Sequence, residues 1–214
     1  MHEPRQGRLA VKPTLDYALH GGISEMHDRQ IDSHAGANKE DLRLIVPSDK
    51  ELERMYQWRI SEPHREYYTC RPVVPLPSYE VWHGKMIARI EEPNRITKVL
   101  INMKSDEVIG DICGFDYNER NHSMEIGCYL PLKQRGKGYG GIMLGLLLEE
   151  CFVNIEPRLN RIYATTSDNN GASKRLLEKY GFVLDGRNRE SYWIGPMKYD
   201  QMVYSILRSE WGKR

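Results

Sequence analysis

The most constraining feature of this chain is a glycine-rich segment set between a strand-like run and an apolar, helix-like run. Ser123 to Leu130 alternates apolar with polar residues, Gln134-Arg-Gly-Lys-Gly-Tyr-Gly-Gly141 follows, and Ile142 to about Phe152 is strongly apolar. A strand that feeds a glycine loop and then a helix offers several backbone N–H groups at the positive end of the helix dipole, with few side chains in the way. Such a segment cradles a phosphate or pyrophosphate. A P-loop would need Ser or Thr after its Gly-Lys; here Gly138 follows Lys137, so the magnesium-binding hydroxyl is missing. A dinucleotide fingerprint is matched literally by Gly136, Gly138 and Gly141. That motif opens a domain with several βα units after it, whereas only the last third of the 214 residues remains here.

Composition bounds the partners. With 31 basic against 30 acidic residues and a formal charge of +1, the chain lacks the basic excess needed to neutralise many phosphates or to lie on anionic lipid. Neither a nucleic-acid nor a membrane partner is expected. No run approaches the roughly 18 apolar residues of a membrane helix, and the start, Met-His-Glu-Pro-Arg-Gln, lacks the apolar core of a secretory signal. A cytoplasmic protein is expected. Cys70, Cys113, Cys128 and Cys151 form no C-x-x-C pair and read as buried free thiols. No metal site is expected: His20, His27 and His34 recur every seven residues, but Gly21, Gly22 and Gly36 interrupt any helix that could align them.

The pattern divides the chain into an irregular, histidine-rich extension over residues 1–40 and one domain over 41–214. Leu42, Leu44 and Val46 alternate as a half-buried strand that Pro47 ends. Ser48 with Glu51 reads as a capping box, opening a helix whose inner face carries Leu52, Met55, Tyr56 and Arg59. Prolines at 63, 72, 75 and 77 make Ser61 to Pro77 a long connection, after which Ser78 caps a second helix through Ile90. Ile96 to Met103, Val108 to Phe115 and Ser123 to Leu130 read as strands joined by short polar turns. Arg161 to Thr165 is a further strand, and Asn170 to Lys179 a helix. Phe182 to Arg187, Ser191 to Ile194 and Gln201 to Leu207 are closing strands. The expected class is mixed α/β, antiparallel first and parallel towards the C-terminus.

A third candidate for the glycine loop is the pyrophosphate of coenzyme A. Arg135-x-x-Gly138-x-Gly140 resembles the Gln/Arg-x-x-Gly-x-Gly/Ala loop of the GNAT superfamily of acetyl-CoA-dependent N-acetyltransferases. Asn170-Gly-Ala-Ser173 through Lys179-Tyr-Gly181-Phe182 resembles that family's Asn-x-x-Ser/Ala helix and its Lys-x-Gly-Phe ending. The resemblance spans about Asp41 to Trp211. It is greatest to the branch of ribosomal-protein alanine, spermidine and amino-sugar acetyltransferases. It implies a GNAT fold, with a mixed central sheet that is antiparallel at first, two splayed parallel strands and flanking helices. Acetyl-CoA is the implied cosubstrate, no metal is implied, and the acceptor is a small-molecule amine or a protein N-terminus. The resemblance leaves a homodimer open.

The roles that follow are implied by the resemblance. Gly127, Cys128, Tyr129 and Leu130 on the splayed strand would hold the pantetheine arm. The amides of Arg135, Gly136, Lys137, Gly138, Tyr139, Gly140 and Gly141 would hold the pyrophosphate, with charge from Arg135 and Lys137. Asn170 would bond the arm and Lys179 approach the adenosine phosphates. Glu125 and Glu190 compete for general base, and Tyr192 and Trp193 would line the acceptor pocket. Many relatives place a tyrosine acid four residues before the Gly of Gly-Phe; Leu177 stands there, Ser173 is the replacement donor, and Tyr180 is out of phase and packs.

Overall fold

The computed structural model describes residues 39–63, 74–155 and 159–211. The three histidines, nearly all of the extension, Cys70 and much of the proline-rich connection lie outside them. The strands are β1 (Leu42–Ile45), β2 (Ile96–Asn102), β3 (Glu107–Asn118), β4 (Ser123–Tyr129), β5 (Arg161–Ser167), β6 (Val183–Ile194) and β7 (Met197–Leu207). Their order in one sheet is β1-β2-β3-β4-β5-β7-β6. The helices are α1 (Asp49–Ser61), α2 (Tyr79–Glu91), α3 (Tyr139–Glu149) and α4 (Gly171–Lys179).

The mixed α/β class is as expected, with two corrections. Among the described strands only β4 and β5 run parallel, while β5–β7 and β6–β7 are antiparallel. The two short strands expected before and after residue 190 are one strand, β6, whose register against β7 slips between Asn188 and Tyr192. Glu190 sits in that bulge with φ 51°. A bulge inserts unpaired residues without ending the strand, so the polar break in the pattern resembles a turn.

Helices cover both faces of the sheet, which is why β2 shows consecutive buried residues, Val99, Leu100 and Ile101, rather than strict alternation. Val99 and Val108 pack with Leu52, Met55 and Met86 of α1 and α2. Leu100, Ile112, Met124, Ile126 and Ile162 pack on the other side with Met143, Leu147 and Leu148 of α3. The side chain of Glu51 accepts from the Ser48 backbone N–H at 2.9 Å, tying down the start of α1. Helix α3 is apolar nearly all round because it lies within the core, and it starts at Tyr139, inside the glycine run. A Cβ at Gly141 would stand 2.9 Å from the Tyr180 hydroxyl, and one at Gly145 3.1 Å from its ring. One turn apart, these two glycines form the notch into which Tyr180 packs.

Candidate active site

β4 and β5 pair at only three positions, Ser123↔Arg161, Met124↔Ile162 and Glu125↔Tyr163. Beyond Glu125, β5 stays with β7 up to Ser167↔Gln201, and β4 stays with β3 up to Tyr129↔Asp111. The two parallel strands therefore diverge into a wedge, with Gly127 and Cys128 on one wall. A Cβ at Gly110 would stand 2.8 Å from the Tyr129 carbonyl oxygen, so a glycine lets β3 press against the far end of β4. Cys128, expected buried, is exposed, because the splay removes the strand that would cover it. Desolvation by the surrounding protein pushes its thiol up to about 12, with the Asp111 charge adding to the effect. Cys151 is buried and Cys113 half-buried.

The wedge opens towards the glycine loop. Gly136 and Gly138 adopt φ 76° and 82°, a left-handed region that glycine enters without penalty, and Gly138 caps α3. Arg135 N donates to Leu132 O and Gly141 N to Gly138 O. Those two amides, expected in the cradle, are spent on the backbone. The amides of Gly136, Lys137, Gly138, Tyr139 and Gly140 make no backbone–backbone bond among the described residues, as at any helix start. Lys137 Nζ donates to Gln134 Oε1 at 3.1 Å, and buried Gln134 donates to Glu107 Oε1 at 2.6 Å, anchoring the loop to β3.

The sequence gives no warning of what Arg135 does. Its Nη2 donates to Glu62 Oε2 at 2.8 Å and its Nε to Leu130 O at 2.8 Å. The guanidinium expected on the phosphates is thus held by the end of α1. The Tyr129 hydroxyl donates to the same Glu62 oxygen at 2.6 Å, and the Glu62 side chain is only 5% exposed. Burial, with the Glu62 carboxylate beside it, raises the Tyr129 phenol far above its ordinary value. Arg59 stacks 4.3 Å from the centre of the Tyr129 ring and pairs with Asp111 at 3.0 Å. Burial lifts Asp111 and the Arg59 charge opposes that. Arg59, Glu62, Asp111, Tyr129 and Arg135 together fasten α1 to the tip of β4 and to the loop. Of the members of this clamp, sequence reasoning missed Glu62 and Asp111; the partners of Glu62, Tyr129 and Arg135, lie 67 and 73 residues away.

On the same strand as the wedge, Glu125 Oε1 accepts from Thr165 Oγ1 at 2.9 Å, and Tyr163 also bonds to its side chain. Tyr192 reaches Thr165 at 3.3 Å, which brings it into one network with Glu125. Trp193, its neighbour on β6, points to the other face, is 67% exposed and lies under Lys198 Nζ at 5.1 Å. Glu190 is not in this network. Its side chain is 64% exposed and pairs with Lys198 at 2.7 Å, while its backbone N–H donates to Asp200 Oδ1 at 2.7 Å. Asn170 caps α4, its Oδ1 accepting from Ser173 N at 3.1 Å. Ser173 is half-buried and Lys179 exposed, while Leu177 is a core residue with 4% exposure.

The family profile described as the acetyltransferase (GNAT) domain matches residues 41–183. A Bacillus subtilis protein provisionally named the ribosomal N-acetyltransferase YdaF is 28% identical over 106 residues, 48% of this chain and 57% of that protein. The uncharacterised N-acetyltransferase YnaD of the same organism is 32% identical over 106 residues, 50% of this chain and 61% of that protein. The matched stretch thus spans about three fifths of the length of these relatives. The crystal structure of spermidine N-acetyltransferase from Vibrio cholerae in complex with CoA and spermine shares the fold with a TM-score of 0.71 at 20% identity, over 80% of this chain and 98% of that one. A profile that takes in two thirds of the residues, including the wedge, the glycine loop and α4, places the chain in the GNAT acetyltransferase family.

Proposed function

We propose that the protein is an N-acetyltransferase that moves an acetyl group from acetyl-CoA to a primary amine by direct transfer in a ternary complex. The observation that carries this reading is the wedge itself: along β4 it runs from Glu125 to the five-amide cradle at the start of α3. Residues 41–214 form the catalytic unit in this reading.

The donor set fits coenzyme A, since unbonded amides at a helix start suit a pyrophosphate and an open strand edge suits an amide-bearing arm. The amides of Gly136 to Gly140 would hold the pyrophosphate, with Lys137 adding charge. Gly127, Cys128 and Leu130 would present main-chain groups to the arm, Asn170 would add its side-chain amide, and Lys179 would meet the adenosine phosphates. Bound acetyl-CoA supplies the thioester carbonyl and the sulfur leaving group. An amine must lose a proton to attack, and Glu125, fixed at the closed end of the wedge where β4 and β5 part, takes it directly or through one water. Ser173, one turn before Leu177 on α4, would return a proton to sulfur.

The acceptor reading is supported by the polyamine bound in the Vibrio structure and, for a protein N-terminus, by the name given to YdaF. A specific observation favours a second reading, an acyl-CoA sensor without turnover: the position that holds a tyrosine acid in many relatives is the buried Leu177. Thiol release from acetyl-CoA with spermidine, an amino sugar and an alanine-terminated peptide separates the two. Release with one amine and intersecting initial-rate lines support direct transfer, whereas parallel lines point to an acetyl-enzyme. CoA binding without release from any amine supports the sensor.

A further inference from the structure

The bonds around Glu125 extend across four strands in a single direction. Thr165 Oγ1 on β5 bonds to Glu125 Oε1 at 2.9 Å, and the Tyr192 hydroxyl on β6 bonds to Thr165 Oγ1 at 3.3 Å. Gln201 Nε2 on β7 bonds to the Tyr192 hydroxyl at 2.9 Å, and Asn188 Nδ2 on β6 bonds to Gln201 Oε1 at 2.8 Å. The direction follows from valence. An ionised carboxylate only accepts, so Thr165 must give it the single hydroxyl proton and can only accept from Tyr192. Tyr192 then has no proton left for Gln201, which must present its NH2 group and turn its carbonyl to Asn188. Every proton in the row points towards Glu125, and each donor polarises the next.

The arrangement depends on the splay. Tyr163 is the last β5 residue paired with β4, and Thr165 lies two residues further on, where the strands have parted. Its hydroxyl bridges the start of the wedge. The register slip in β6 between Asn188 and Tyr192 sets both side chains beside Gln201.

We infer that Thr165, Tyr192 and Gln201 are positioning residues that orient Glu125 in the wedge through this one-directional row of hydrogen bonds. The inference rests on the reading of Glu125 as the base and makes Tyr192 part of the machinery that aims the base rather than pocket lining. Asn188 closes the row and fixes the amide of Gln201.

Steady-state kinetics on Thr165→Val, Thr165→Ser, Tyr192→Phe and the Thr165→Val/Tyr192→Phe double variant test it, with the melting temperature recorded for each. Thr165→Val is expected to lower kcat about tenfold with the KM for acetyl-CoA unchanged, as a misaimed catalytic group does. Thr165→Ser keeps the hydroxyl and restores most of the rate. Tyr192→Phe costs about threefold alone and nothing further on top of Thr165→Val, because the row is already cut. Multiplying effects, or a loss of melting temperature that Thr165→Ser does not reverse, overturn the inference. Glu125→Gln tests the base reading separately: full turnover in that variant removes the reading. Positioning is then decided by the crystal structure of Thr165→Val, where a Glu125 side chain in its original place overturns it.

Discussion

Glu62 shows how much a single residue can hold. It follows the last turn of α1, precedes Pro63 and accepts from both Tyr129 and Arg135 while almost wholly buried. Glu62→Gln keeps the shape and removes the charge, weakening both bonds to the shared oxygen and leaving the Arg135 cation without its counter-charge. A loss of about 1–3 kcal/mol in urea unfolding is expected, since Arg135 can turn to solvent and recover part of its hydration. The KM for acetyl-CoA rises more than kcat falls, because the clamp fastens the loop and the tip of β4 rather than the reacting atoms. Glu53→Gln, on the exposed side of the same helix, is the control, expected within about 0.5 kcal/mol of the parent. Equal behaviour of the two variants would remove the clamp from the account. Glu62 and Thr165 have no sequence signal, because ordinary residue types at ordinary spacing acquire their meaning from partners on distant strands. Glu125 and Glu190 were equal candidates in the sequence. The fold separated them, by placing one beside the splay and the other on an exposed bulge paired to Lys198.

At the scale of elements, the loop and α3 behave as one unit. Gly138 caps the helix at φ 82° with open space where a side chain would stand, so Gly138→Ala tests conformation without steric clash. A residue with a Cβ pays about 1–2 kcal/mol there. The expected result is CoA binding weakened about tenfold in calorimetry, with the core intact by circular dichroism; unchanged affinity would take the cradle amides out of the binding account. Helix α4 shows a different economy of parts. Its N-cap was legible because the Asn170–Ser173 spacing is local, and Tyr180 packs as its phase implied. The single long β6 was not legible: three residues of bulge, Arg189 to Ser191, look like a break to any rule that counts alternation.

For the whole molecule, the balance of charges hides an acid sensitivity. Hydrogen bonds hold three carboxyls below their ordinary range: Glu80 through its own backbone amide and Ser78, Asp106 through Lys50, and Asp200 through the Glu190 amide and Arg187. At Glu51 and Asp185 burial pushes upward, and is outweighed by bonds from Ser48 and by those from Ser205 and Arg161. Depressed values mean that the unfolded chain binds more protons, so stability from these groups is present above about pH 4.5 and is lost as pH falls through the folded values. Asp111, raised, acts in the opposite sense. The urea midpoint should therefore hold from pH 8 to about pH 6 and fall below about pH 4.5. Asp200→Asn should flatten that fall; an unchanged slope would remove Asp200 from it. What the sequence determined alone was what local spacing determines: the strand–loop–helix cradle, the caps of α1 and α4, the apolar α3 and the family. Only the tertiary structure decided that β6 runs on through the bulge at Glu190, that Arg135 turns from the loop to Glu62, and that four strands aim a row of donors at one carboxylate. Short-range rules follow from backbone sterics and amide valence within a few residues, whereas these three depend on which distant strands the two-sided core brings side by side.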